Sequence, residues 1–164
     1  MNQLGARIEV FLDAHHVMTL ATVGDSGPHA ASLIFARKGF ALYWTSDPLS
    51  RHSRHLERDA RVTATVAPDY VDFQAVRGLQ IAGRAAQLVD GEDASEARLL
   101  LVRRYAFLAQ LAAQETSLGA AFAKASFYRL QPERITLIDN TRGFGHKETL
   151  LLSRNAASAP GESS

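Results

Sequence analysis

The chain has 164 residues, 46% of them apolar, which fits one ordinary domain with a sizeable core and is too short for two domains and a linker. Lysine and arginine number 18 against 17 aspartates and glutamates, so bulk charge offers no attraction to duplex nucleic acid or to an anionic membrane. There is no cysteine, which excludes disulfides, thiolate zinc sites, iron–sulfur ligation and cysteine nucleophiles together.

The opening MNQLGARIEVFLDAHH lacks a basic n-region and an unbroken apolar run, and no segment approaches the length of a bilayer span, so the expected location is the cytoplasm. Leu4, Ile8, Phe11 and Leu12 recur at helical spacing and predict a short amphipathic helix. Then the period changes. VMTLATV (17–23), HAASLIFA (29–36) and FALYWTS (40–46) are β-rich runs separated by GDSGP and RKG turns, an antiparallel meander.

Asp47 followed by Pro48 reads as a cap and first helical residue, predicting a helix over 48–59 before ARVTATVA resumes as a strand. FQAVRGLQIAGRAAQLV (73–89) supplies one long strand or two shorter ones, with Gly78 and Gly83 at bulges or bends. One or two helices interrupt the sheet between 92 and 124. SFYRLQP and RITLIDN then flank Pro132 and Glu133 as a final hairpin. The expected organisation is a single domain over 1–150 with a small-residue tail over 151–164. Many short antiparallel strands with helices at their ends predict a closed or partly closed barrel of the mainly β, α+β class, since closure removes exposed edges.

The stretch SRHSRHLERDARV (50–62) concentrates arginine and histidine in a nearly neutral chain. On a helical wheel Leu49, Ser53, Leu56 and His52 lie to one side, and Arg54, Glu57, Arg58 and Asp59 to the other. Ser50 and Arg51 fall in the first turn, where free N–H groups and the positive end of the helix dipole favour an anion. Two readings stand: a solvated basic face with a core histidine, or a phosphate cradle. Thr45 and Ser46, at the preceding strand end, add two hydroxyls near the same place, after Tyr43 and Trp44. Gln80, in the apolar run LQIAG, either bonds a ligand or points to solvent. DNTRGFGHKE (139–148) combines Arg142, His146 and Lys147 with two glycines, as an anion-binding loop or an ordinary charged turn. His52 and His55 lack a third ligand and any H-E-x-x-H pattern, so no metal is expected. No G-x-G-x-x-G or G-x-S-x-G occurs, and no acid–base constellation stands out; if the protein is an enzyme, a cofactor carries its reaction.

MTLATVGDSGPHAASLIFA, LYWTSDPLSRHSRHLERDARVTATV and GLQIAGRAAQLV, in that order, resemble the pyridoxamine 5'-phosphate oxidase-like FMN-binding split β-barrels, as does FYRLQPERITLIDNTRGFGHKE. The resemblance implies a six-stranded antiparallel split barrel of Greek-key type with flanking helices, forming a homodimer with FMN at the subunit interface. It implies ring contacts from Ser32, Leu33 and Ile34, phosphate contacts from Thr45, Ser46, Ser50, Arg51 and His52, and an approach to the flavin by Gln80, from the partner subunit. His52 stands where the family's pattern has lysine, which removes a permanent charge. Arg142, His146 and Lys147 stand where true pyridoxamine phosphate oxidases bind substrate, with no matching residues, so vitamin B6 synthesis is not expected. The implied activity is an oxidoreductase acting on a small unidentified molecule, with NAD(P)H as electron donor. The alternative is a non-catalytic binder of haem or deazaflavin F420, His146 offering an axial haem ligand.

Overall fold

The computed structural model describes residues 3–89 and 91–153. Helix α1 (Gln3–Ala14) turns its apolar stripe inward, and Ile8 and Leu12 are fully buried against the sheet. Its C-terminal carbonyls have no intrahelical donors. Arg104, some ninety residues later, supplies them: Nη2 lies 3.1 Å from both the Leu12 and Asp13 oxygens and 2.6 Å from that of His15.

The meander follows as β1 (Val17–Gly24), β2 (Gly27–Ile34), β3 (Ala36–Lys38) and β4 (Ala41–Ser46). Phe35, fully buried, separates β2 from β3, so the run expected over 29–36 divides there. Its N–H donates to the His16 carbonyl while β3 turns back on β4 around Gly39, whose φ of 57° suits glycine. Helix α2 (Arg51–Arg58) then leads to β5 (Arg61–Val66) and the long β6 (Arg77–Gln87).

Three helices, rather than one or two, fill the next segment: α3 (Glu92–Arg104), α4 (Ala106–Ala112) and α5 (Ser117–Ala123). Tyr105 interrupts α3 and α4, its hydroxyl 2.6 Å from the Phe35 carbonyl. Ala97, Leu101 and Leu108 bury this layer against Ala36, Ala41, Tyr43 and Phe127.

The final hairpin expected around Pro132 is not present. Residues 126–139 form one strand, β7 (Ser126–Asp139), and β8 (Lys147–Leu151) turns back on it. Pro132 is accommodated because the β6–β7 register slips there, between Ala82 and Gly83, so no ladder bond is demanded of its missing N–H. Gly83 is required at this point: a Cβ on it would lie 2.2 Å from the Gln131 carbonyl oxygen.

The strands form a single antiparallel sheet in the order β2-β1-β5-β6-β7-β4-β3, with β8 on the second half of β7. Eight strands are thus found among the described residues where six were expected, β3 and β8 being the short additions. The sheet curls into a half-barrel around Met18, Leu20, Leu42, Trp44, Ile81 and Tyr128, a core to which α1 adds Ile8 and Leu12 and α2 adds Leu56, an α+β split barrel. Leu150 and Leu152 pack on the same core, so the domain extends past 150; of the expected tail, 154–164 lies outside the described residues.

Strand alternation gives the opposite face of the sheet a row of uncharged polar side chains running across the strands. Ser32, Thr19, Thr65, Gln80, Thr136 and Thr149 are successive cross-strand partners across β2, β1, β5, β6, β7 and β8. All but Thr136 are exposed. No helix among the described residues is long and apolar enough to cross a membrane.

Candidate functional site

The corner between β4 and α2 is built by local chemistry. Ser46 ends β4. The Asp47 carboxylate accepts the Leu49 N–H at 2.8 Å, and the Asp47 carbonyl accepts the Ser50 N–H at 3.0 Å, closing a tight turn around Pro48. Because Asp47 is spent on this turn, the helix cap is Ser50, not Asp47, and the helix spans Arg51–Arg58 rather than 48–59. The Ser50 backbone is extended (φ −61°, ψ 154°), and its hydroxyl accepts the Ser53 N–H at 3.3 Å.

His52 faces inward, as the helical wheel predicts, along with Ser53 and Leu56. Its Nε2 lies 2.8 Å from the Ser46 hydroxyl and 3.1 Å from that of Ser50, and Ser50 donates to Ser53 Oγ at 2.8 Å. The ring is nearly parallel to His29 of β2, with centroids 6.3 Å apart. His55, one helical turn on, stands edge-on to His29 at 5.9 Å and shares a 3.0 Å hydrogen bond with buried Thr22. Burial, and then the neighbouring His29 and His55, hold the His52 pKa below the ordinary histidine value. Among the described residues no three histidine or carboxylate side chains converge to hold a metal ion.

Outside this layer lies an open cavity of about 680 Å³, lined by Gly24, Ser26, Arg51, Arg54, His55 and other residues of the β1–β2 turn and α2. Arg58 is taken by Asp25. Arg51 and Arg54 are exposed and engage in no ion pair among the described residues. The corner therefore presents two free guanidinium groups, the amides of a first helical turn and a layer of hydroxyls and imidazoles, a set of donors suited to a phosphate or sulfate group.

Ser46, Ser50, Arg51 and His52 come together here. Thr45 is adjacent but turns its hydroxyl to the Ser126 carbonyl, 3.1 Å away on β7. Trp44 and Tyr43 are core residues, Trp44 stacked on Tyr128 with centroids 5.5 Å apart.

Ser32, Leu33 and Ile34 end β2, an outermost strand in the sheet order, so one backbone edge of this strand has no partner strand among the described residues. Ser32 exposes its side chain, whereas Leu33 packs on the main core and Ile34 on the cluster beneath α3 and α4. Gln80 is exposed in the same cross-strand row as Ser32 but three strand spacings away, about 14 Å. It shares a shallow groove with Lys147, Thr65 and Thr136. Arg142 and His146 converge on Glu148, at 2.9 and 3.4 Å, where Arg7 also binds at 2.5 Å and holds that carboxyl below its usual range. The predicted residues thus fall into a corner group, a β2 edge group and a group on the far strands.

His29 was not singled out by sequence reasoning. It precedes the α2 histidines it touches by more than twenty residues, and the pairing of His29 with Thr22 brings it under α2. Alternation along GPHAASLI, which turns His29 to the same side as Leu33, was the available signal.

Residues 4–139 match the family model described as Pyridoxamine 5'-phosphate oxidase. A UPF0306 protein of Serratia proteamaculans is 27% identical over 143 residues, 86% of this chain and 90% of the relative. Among solved structures, a heme binding protein from Mycobacterium smegmatis superposes with a TM-score of 0.72 at 19% identity, over 92% of this chain and 59% of that one. An FAD-binding protein from Mesorhizobium loti does so with a TM-score of 0.60 at 22% identity, over 82% and 92% of the two chains. The architecture of the sheet and a match covering most of the described residues agree, and the chain belongs to the pyridoxamine 5'-phosphate oxidase family.

Proposed function

We propose that this protein is an FMN-binding oxidoreductase that works as a homodimer, transferring a hydride from NAD(P)H as electron donor to a small molecule. The observation that carries the reading is the junction of Ser46, Ser50 and His52, linked at 2.8 and 3.1 Å, beneath the unpaired Arg51. That donor set fits the phosphoryl end of FMN. The free edge at Ser32–Ile34 offers backbone donors and acceptors to a planar ring. When bound, the flavin supplies the hydride chemistry, and the chain's residues grip the tail and orient the ring.

The dimer is supported by the continuous row of uncharged polar residues from Ser32 to Thr149 across six strands, flanked on the same face by Arg61, Arg84, Arg134 and Lys147, a polar centre with a charged rim. Pairing two copies through it would bring Gln80 of one toward the β2 edge of the other, answering the 14 Å gap of about three strand spacings within one chain. Haem ligation by His146 is less well supported, because its ring nitrogen is already turned to Glu148.

Titration with FMN and with riboflavin, followed by flavin fluorescence, tests the reading. Arg51→Ala should weaken FMN binding about ten- to hundredfold while leaving riboflavin binding unchanged. Equal FMN affinity in wild type and variant would remove the phosphate assignment. A Soret band in the untreated protein would replace flavin by haem. Reduction of the bound flavin by NADPH or NADH, then reoxidation by candidate acceptors, separates an enzyme from a carrier.

A further inference from the structure

We propose that an anion bound at the start of α2 is held together with a proton on His52, so that binding at this corner takes up one proton. The inference rests on reading the corner as the phosphate end of the site, and it concerns how that end is charged.

The hydrogen bonds carry the argument. His52 Nε2 sits between the hydroxyls of Ser46 and Ser50, and the Ser50 hydrogen is already given to Ser53 Oγ. If Nε2 is bare, Ser46 must donate to it, and the Ser46 hydroxyl then has only lone pairs left for any other partner. If the ring is an imidazolium, Nε2 donates, both serine oxygens accept, and the Ser46 hydrogen is freed to be given to a bound anion. Protonation thus adds a charge and a donor at once. A neutral ring with its hydrogen on Nε2 releases the same donor but adds no charge.

The surroundings disfavour a charge on this ring in the free protein. His29 lies parallel to it from β2, His55 and Arg51 share its helix, and Tyr128 of β7 lies beneath Ser53. The carboxylates nearby are engaged elsewhere: Asp25 with Arg58, Asp59 with Arg61, and Asp47 with the Leu49 amide. Glu57 lines the outer cavity, and no carboxylate bonds His52 among the described residues. A cation at this ring therefore has no internal counterion, and a bound phosphate or sulfate would be its counterion.

Sulfate is a suitable probe because it stays a dianion across the range in which histidine titrates. Sulfate binding should be about tenfold or more tighter at about pH 5.5 than at about pH 8, the change that one unit of coupled pKa shift produces. The imidazole NMR signals of wild-type protein should show His52 titrating at higher pH with sulfate than without it, which requires no variant. His52→Lys, which carries its charge throughout, should bind sulfate more tightly than wild type at about pH 8. Sulfate affinity that is equal at the two pH values, or a His52 titration unmoved by sulfate, overturns the coupling. FMN and riboflavin titrated in parallel keep the two readings apart. FMN bound with pH-independent affinity would leave the flavin reading standing without the proton, and coupled sulfate binding without flavin binding would do the reverse.

Discussion

His55 Nε2 occupies the space that a side chain on Gly24 would need: a Cβ there would lie 2.2 Å from it. The other nitrogen of the same ring is bonded to Thr22, which is 1% exposed. Gly24→Ala should drive the imidazole out and leave the Thr22 hydroxyl buried without its partner. The expected loss is about 1–3 kcal/mol, read as a lower urea midpoint with an unchanged slope.

Gly83→Ala meets backbone instead of a movable ring, with the Gln131 oxygen at 2.2 Å and the Pro132 Cα at 2.8 Å. The bulge must open for the methyl group to enter. A loss of about 2–4 kcal/mol is expected, larger than at Gly24, because no side chain can step aside. Parallel urea unfolding of the two variants gives the comparison.

Acid should weaken the fold through His52. Its folded-state pKa lies below the ordinary value of 6.5, so the unfolded chain binds the proton more readily than the folded one. The stability is fully present above that ordinary value and is lost as pH falls through the folded one. His52→Asn, which keeps a polar partner for the two serines, should flatten this acid limb. Denaturation midpoints measured between about pH 8 and pH 5 decide it, and a variant with the same acid limb as wild type would remove His52 as the cause.

The proposed dimer makes a separate prediction. Thr65 is exposed in the middle of the polar row, paired with Thr19 on one side and Gln80 on the other. Thr65→Arg should convert a sedimenting dimer into a monomer with an unchanged far-ultraviolet spectrum, since the side chain points away from the core. A monomeric wild-type protein would reject the dimer directly.

The parts of the fold that were legible are those set by neighbours in sequence. The inward turn of His52 and Leu56 follows from helical spacing, β1 and β5 from alternation within six to eight residues, and β4 from its unbroken run of β-formers, buried on both faces from Ala41 to Trp44. The bulge at Gly83 was readable too, since glycine there had no other local reason. What was missed depends on distant partners. Pro132 looked like a turn because nothing local reveals that the register slips opposite it. Asp47 and Ser50 are both good caps in isolation, and only the turn bond from Leu49 assigns the role to Ser50. His29 joins the site through a hairpin pairing, which residue spacing along one strand does not contain.

β7 has three neighbours: β6 along one side, and β4 and β8 on successive halves of the other. Leu42 meets Leu130 there, although 87 residues intervene between them, whereas β1 with β2 and β5 with β6 are local hairpins. On a ribosome, then, the β3–β4 hairpin emerges long before its permanent companion and must wait, with an apolar edge open, until β7 has been synthesised. Among the strand pairings of the described residues, that seam closes the longest loop, and the wait for it is the interval in which the open edge is exposed to aggregation.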